Sequence, residues 1–181
     1  MGLIDLNSQD DADSIFTFEA YAPAVAPAAN KSMISLTNTS STKIAKIRAI
    51  YLTNPQTTAV TGVMLNFELR RIVSHSVGTS ITPIQYDTAV TLDAGITART
   101  GSTVVTEGGI IRRWVWSSDE HGSGSADVES TDYATMALIP VFQQEKYSGP
   151  LILRHNEGIT LKQTISSTVG TWDINIVFSQ E

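Results

Sequence analysis

The sequence predicts an all-β protein, an antiparallel β-sandwich of jelly-roll-like type with an extended N-terminal arm. Three observations carry that expectation. Apolar side chains recur at every second position in run after run, the spacing that places them on one face of a strand. Clusters of Asn, Gly, Ser, Thr and Pro separate about eight or more such runs. No stretch holds apolar residues at helical spacing beyond about two turns, apart from a possible single turn at Gln143 to Lys146.

The runs follow in chain order. Residues 1–13 read as an arm, an apolar head of Leu3, Ile4 and Leu6 followed by Asp10, Asp11 and Asp13. So little apolar area cannot fold alone, and the head is expected to reach a neighbour. Residues 14–181 read as one β-sandwich domain. Ser14 to Tyr21 alternates and is the first predicted strand. Pro23 and Pro27 each lack a backbone donor, so Ala22 to Asn30 is expected to be extended or at an edge. Ser32 to Asn38 alternates again before the turn cluster Asn38-Thr39-Ser40-Ser41.

Lys43 to Thr53 is a β-branched run stopped by Asn54-Pro55, and Val63, Leu65, Phe67 and Leu69 alternate with polar residues beyond it. Together they predict a hairpin or meander. Residues 75–109 loosen into short extended pieces, Ile81 to Tyr86, Ala89 to Leu92 and Thr103 to Val105. A long excursion of this kind often carries an interface. Ile110 to Ser117 is a strand, and residues 117–132 are a long polar loop. Tyr133 to Phe142 and Leu151 to Arg154 complete the list before the closing segment. There, Arg154 to Glu181 predicts two paired antiparallel strands, the second with Trp172, Ile174, Ile176 and Phe178 buried and Asp173, Asn175 and Ser179 wet.

Composition narrows the function. At 181 residues one domain is expected. Lys and Arg number 12 against 18 Asp and Glu, a net charge of −6 that disfavours a nucleic-acid partner. The pairs Arg70-Arg71 and Arg112-Arg113 lie within strands, where neighbours point to opposite faces, so neither makes a basic patch. The absence of cysteine removes disulfides, thiolate metal sites and cysteine nucleophiles. No apolar run approaches the ~18 residues of a membrane span, and the reading is of a soluble protein made in a cytoplasm, with no membrane partner.

Candidate chemistry is sparse. Asp119, Glu120, His121, Asp127, Glu129 and Asp132 share one loop without the alternating acidic pattern of a calcium site. His75, His121 and His155 form no HExxH arrangement, and His121 has no nucleophile elbow near it. Gly108-Gly109 opens a strand instead of a phosphate-binding helix. Catalytic, metal and cofactor sites are therefore expected to be absent. Trp114, Trp116 and Trp172 offer a sugar-stacking platform, although their place within apolar alternation favours a core role.

Two stretches carry a family resemblance. KIRAIYLTNPQTTAVTGVMLNFELRRI (46–72) and LRHNEGITLKQTISSTVGTWDINIVFSQE (153–181) resemble small β-sandwich virion proteins of tailed bacteriophages. The first hairpin and the last third are covered; the middle is not. The resemblance implies a non-enzymatic capsid decoration or cement subunit, a homotrimer that binds across major capsid protein subunits on the virion surface after assembly in the host bacterial cytoplasm. A tail or fibre component, or a carbohydrate-binding β-sandwich module, is the alternative. Under this reading Leu3, Ile4 and Leu6 are anchors, and Ile84 and Tyr86 are exposed apolar contacts.

Overall fold

A computed structural model describes residues 17–55, 64–104, 106–117, 139–144, 149–165 and 170–181. The described residues contain strands and loops and no helix. Residues 1–13, with Leu3, Ile4 and Leu6, and most of the 117–132 loop, with His121, lie outside them.

Two antiparallel sheets pack face to face. Sheet A runs β11 (Ile139–Gln143), β3 (Ala45–Thr53), β14 (Trp172–Gln180), β1 (Thr17–Val25), β7 (Ile84–Gln85), and β12 (Leu151–Leu153) also pairs with β3. Sheet B runs β10 (Glu107–Ser117), β4 (Met64–Ile72), β13 (Glu157–Gln163), β2 (Lys31–Asn38), β8 (Ile96–Thr100), β6 (Thr79–Ile81). A two-residue ladder of β5 (His75–Ser76) with β9 (Thr103–Val104) stands apart from both. The β-sandwich expectation holds.

The core follows from the alternation. Phe18, Ile47, Ile50, Leu52, Ile174, Ile176 and Phe178 point inward from sheet A. Met33, Leu36, Leu65, Phe67, Leu69, Ile159 and Leu161 meet them from sheet B. Burying a side chain of this size is worth about 1.5–3 kcal/mol, which is what holds two sheets together without a disulfide. Phe18 stacks on Phe178 within sheet A, ring centroids 5.6 Å apart.

Both predicted hairpins are overturned. β3 and β4 lie in different sheets, as do β13 and β14, so neither consecutive pair shares a ladder. A period of two tells which face a strand buries, and consecutive strands on opposite walls of a sandwich bury the same kind of face as hairpin partners do. The 164–171 connection has the length to cross the ~10 Å between sheets. β14 instead sits between β1 and β3, and β13 between β2 and β4.

Smaller differences have local causes. β1 is described from Thr17 and continues past Tyr21 to Val25, with its register shifting between Ala22 and Val25 so that Pro23 falls in a bulge. Ser179 is buried, not wet, and the Arg48 side chain of β3 donates to its hydroxyl at 3.2 Å. The 75–109 excursion contains a regular strand, β8, whose Ile96 and Ala98 turn to the core; its two apolar residues among Thr and Arg gave too short a pattern to read. Residues 89–92, expected to be extended, form no strand.

Gly158 in β13 is forced by crowding. A Cβ there would stand 2.7 Å from the Leu36 carbonyl oxygen and 2.7 Å from the Thr37 methyl, with Ile72 at 2.9 Å. Only glycine lets β2 and β4 approach β13 this closely.

Candidate interaction surface

The outer face of sheet A is built by the residues that alternate with the core. β1 presents Glu19 and Tyr21, β14 presents Asp173, Asn175 and Val177, and β3 presents Arg48 and Tyr51. β7 pairs with β1 through Ile84 opposite Glu19, and the Tyr86 amide donates to the Thr17 carbonyl at 2.9 Å. Pairing with β1 at successive residues brings the side chains of so short a strand onto the sheet face. Ile84 is 66% and Tyr86 59% exposed, and Tyr21 stands exposed nearby.

Hydrogen bonds fix these aromatics. The Tyr86 hydroxyl donates to Glu19 at 3.1 Å, and the Asn175 amide donates to the other oxygen of the same carboxylate. The Tyr21 hydroxyl donates to Asp173 at 2.8 Å, whose second oxygen receives the Ala24 amide at 2.7 Å. The hydrogen bond to Asp173 raises the Tyr21 pKa; burial, followed by the Glu19 charge, raises that of Tyr86. Both rings stay neutral phenols, pinned at their tips with their faces available.

Beside Tyr86 lies a shallow depression of about 450 Å³, lined by Arg48, Ala49, Tyr51, Gln143, Gln144 and Val177. Arg48 donates to Gln144 at 2.8 Å and to Ser179 at 3.2 Å, which holds its guanidinium along the rim. Apolar rings, amides and one guanidinium supply contact area and hydrogen bonding. Nothing in the depression pairs a nucleophile with a base.

The outer face of sheet B is organised by charge and hydroxyls. Glu68, with a side chain only 3% exposed, accepts from Arg70 at 2.6 Å and from Arg113 across the β4–β10 ladder at 2.8 Å. Glu107 continues the row, accepting from Arg70 at 3.0 Å and Lys162 at 2.6 Å. Burial works to raise the Glu68 pKa, but the hydrogen bonds from Arg70 and Arg113 outweigh it and hold the carboxyl below its ordinary range. Arg71 turns away to the Ile152 carbonyl and Arg112 to that of Val141, so each arginine pair splits between faces as its spacing requires.

Next to this row, the β5–β9 ladder sets His75 among hydroxyls. Ser35 lies 2.8 Å from its Nδ1, and Thr37 and Thr97 lie 3.1 and 2.9 Å from its Nε2. Ser102 bridges Ser35 and Ser32. Burial, with the Arg99 charge, lowers the His75 pKa to about 4, so the ring is neutral at pH 7. Ser35 is fully buried and no carboxylate orients the ring, so the arrangement fastens the excursion to sheet B and is not a nucleophile with its base. His155 reaches the Thr39 carbonyl at 3.0 Å.

Of the tryptophans, Trp172 is buried against Phe67 and Trp114 is half-buried beneath Arg112, whose guanidinium carbon is 5.9 Å from the ring centroid. Trp172 thus belongs to the core and to no sugar platform; among the described residues the exposed rings are Tyr21 and Tyr86, which the tryptophan signal missed. Among the described residues no three His, Cys, Asp or Glu side chains converge as a metal site, and no helix is long and apolar enough to cross a membrane.

No protein-family model, curated protein or solved structure matches this chain. Its functional reading therefore rests on its own surface.

Proposed function

We propose that the protein is a non-enzymatic structural component of a bacteriophage virion, a decoration or cement subunit that binds across major capsid protein subunits. The observation that carries this reading is the rigid, exposed pair Ile84 and Tyr86 on the outer face of sheet A. Apolar side chains held out from a regular sheet mark protein contact surfaces, and tyrosine is enriched at such interfaces because it buries much area at little entropic cost. The pairing orders β1-β14-β3-β11 and β2-β13-β4-β10 support reading the sandwich as a jelly roll. A cement subunit works by burying surface across joints of the shell, which a stiff two-sheet body with its contacts presented from loops and short strands does well. The arm of residues 1–13, with Leu3, Ile4 and Leu6, supplies a second contact, and a homotrimer repeats both.

The test is attachment to purified capsids. Ile84→Ser with Tyr86→Ser is expected to weaken attachment at least tenfold while leaving the melting temperature unchanged; undiminished attachment sinks the role of this surface. Imaging of labelled particles separates shell from tail or fibre.

The depression beside Tyr86 favours a second reading, a carbohydrate-binding module in which Tyr51 and Tyr86 stack on a sugar and Gln143, Gln144 and Arg48 bond its hydroxyls. A glycan array without hits dismisses it.

A further inference from the structure

Pairing between β5–β6 and β8–β9 keeps one register across an interruption. β6 meets β8 as Ile81 with Ala98, Ser80 with Arg99 and Thr79 with Thr100, and β5 meets β9 as Ser76 with Thr103 and His75 with Val104. The four strands are thus one antiparallel ribbon, interrupted at Val77-Gly78 on one side and Gly101-Ser102 on the other. There it bends. Val77, Gly78 and Gly101 have φ of 58°, 73° and 60°, a left-handed geometry that a β-branched residue such as Val77 rarely adopts. Beyond the bend the ribbon leaves sheet B and folds back over β2, where His75 reaches Ser35 and Thr37 and Ser102 reaches Ser32 and Ser35.

These side chains, with the 3.0 Å bond from the Gly101 amide to the Ser32 carbonyl, fasten the bent end. Val73 and Val77 are exposed, so neither ties it down by burial. The hydroxyls form a chain of fixed direction. Thr160 spends its proton on the Ile34 carbonyl, so Ser32 donates to Thr160 at 2.6 Å, Ser102 to Ser32 at 3.1 Å and Ser35 to Ser102 at 2.7 Å. The 3.4 Å approach of Ser35 to the Arg99 carbonyl is too long to compete. Ser35 then offers His75 only lone pairs, and their 2.8 Å contact requires the proton on Nδ1. Nε2 of the neutral ring therefore accepts from Thr37 or Thr97, and it is the nitrogen left to take a second proton. That charge would sit half-buried, facing Arg99 of β8. The other strands bring no compensating charge: Lys31 of β2 donates to the Ala26 carbonyl, Arg70 of β4 and Lys162 of β13 are bound to glutamates, and among the described residues no carboxylate pairs with the ring.

We propose that the bent ribbon is a latch released by acid: protonation of His75 lifts residues 75–78 and 101–104 off β2 and uncovers the buried hydroxyls of Ser32, Ser35 and Thr37. The unfavourable backbone of Val77 and the charge on the ring both favour release. In the closed ribbon, burial and then the Arg99 charge hold the ring near pKa 4; in the open ribbon, surrounded by water, it returns to 6.5. Closure is thus favoured in full above pH 6.5 and loses ground as pH falls towards 4, so that opening increases about thirtyfold between pH 7.5 and 5. The latch lies on sheet B and stands apart from the capsid reading, whose contacts are on sheet A and the arm.

Hydrogen exchange of the full chain, read by NMR as protection factors, is the experiment. The Gly101 amide is the probe, because opening breaks its bond to Ser32. Its protection is expected to fall about thirtyfold from pH 7.5 to 5. It is also expected to be indifferent to low urea, the mark of a local opening, whereas amides of β3 and β14 exchange through urea-sensitive global unfolding. His75→Gln, neutral throughout, is expected to abolish the pH dependence, and Ser102→Ala to lower Gly101 protection at every pH while keeping that dependence. Should His75→Gln not fold, the wild-type pH series with and without urea still decides. Gly101 protection that is constant with pH, that falls equally in His75→Gln, or that depends on urea as steeply as that of β14 overturns the latch.

Discussion

Trp172 of β14 meets Phe67 of β4 edge-on, ring centroids 5.6 Å apart and planes at 80°, and this contact joins sheet A to sheet B within the core. The edge-to-face arrangement adds about 0.5–1.5 kcal/mol to the area the two rings bury. Trp172→Ala removes that and leaves a cavity, for an expected loss of about 3–5 kcal/mol in urea denaturation. A loss below ~1 kcal/mol contradicts the placement of this ring.

Gly158→Ala tests the close approach of β2 and β4 to β13. The new methyl has backbone oxygen on one side and the Thr37 and Ile72 side chains on the others. The expected cost is about 1–3 kcal/mol from strain, read as a lower midpoint with the slope of the denaturation curve unchanged.

Glu68→Gln tests the charge row on sheet B. The amide keeps the shape but leaves Arg70 and Arg113 facing a neutral group. Arg113 has a side chain 57% exposed and recovers solvation from water, so the expected loss is about 1–3 kcal/mol, short of the full cost of a stranded buried charge. Double-mutant cycles with Arg70→Met and Arg113→Met apportion it.

Acid titration tests His75. Its imidazole titrates near pH 6.5 when unfolded and near 4 when folded, so between those values the unfolded state binds the extra proton. The stability from this neutral histidine is full above pH 6.5 and is lost as pH falls towards 4. Glu68, held below its ordinary value, adds a loss at lower pH, as the carboxylate protonates on the way down through its folded pKa. His75→Gln is expected to flatten the fall in melting temperature between pH 6.5 and 5, which the wild type shows. Equal slopes refute the assignment.

Much of the scaffold was legible because burial writes a period of two into the chain. Trp172, Ile174, Ile176 and Phe178 turned inward as their spacing required, and the arginine pairs divided between faces. Pairing was not legible. Nothing in the alternation of β13 and β14 records that Leu161 pairs with Leu69 while Ile176 pairs with Ile50 in the other sheet. Ser179, expected wet, is buried where Arg48 of β3 donates to it, and Gln180 escaped notice because distant residues bury it, its amide donating to the Thr91 carbonyl and accepting from the Asp93 amide. On the surface, Ile84 and Tyr86 stood out as apolar residues in a polar excursion, whereas the partnership of Tyr86 with Glu19 depends on β7 lying beside β1, and that of Tyr21 with Asp173 on β14 lying on its other side.

That same position of β14 dictates when the protein can fold. β1 and β3 leave the ribosome well before the strand that must lie between them, and the Tyr21–Asp173 bond closes a separation of 152 residues. Until synthesis reaches β14, β1 with β7 and β3 with β11 and β12 are two separate parts of sheet A, and the edges of β1 and β3 that β14 fills stay open. Completing so non-local a set of pairings is slow, on the order of milliseconds to seconds.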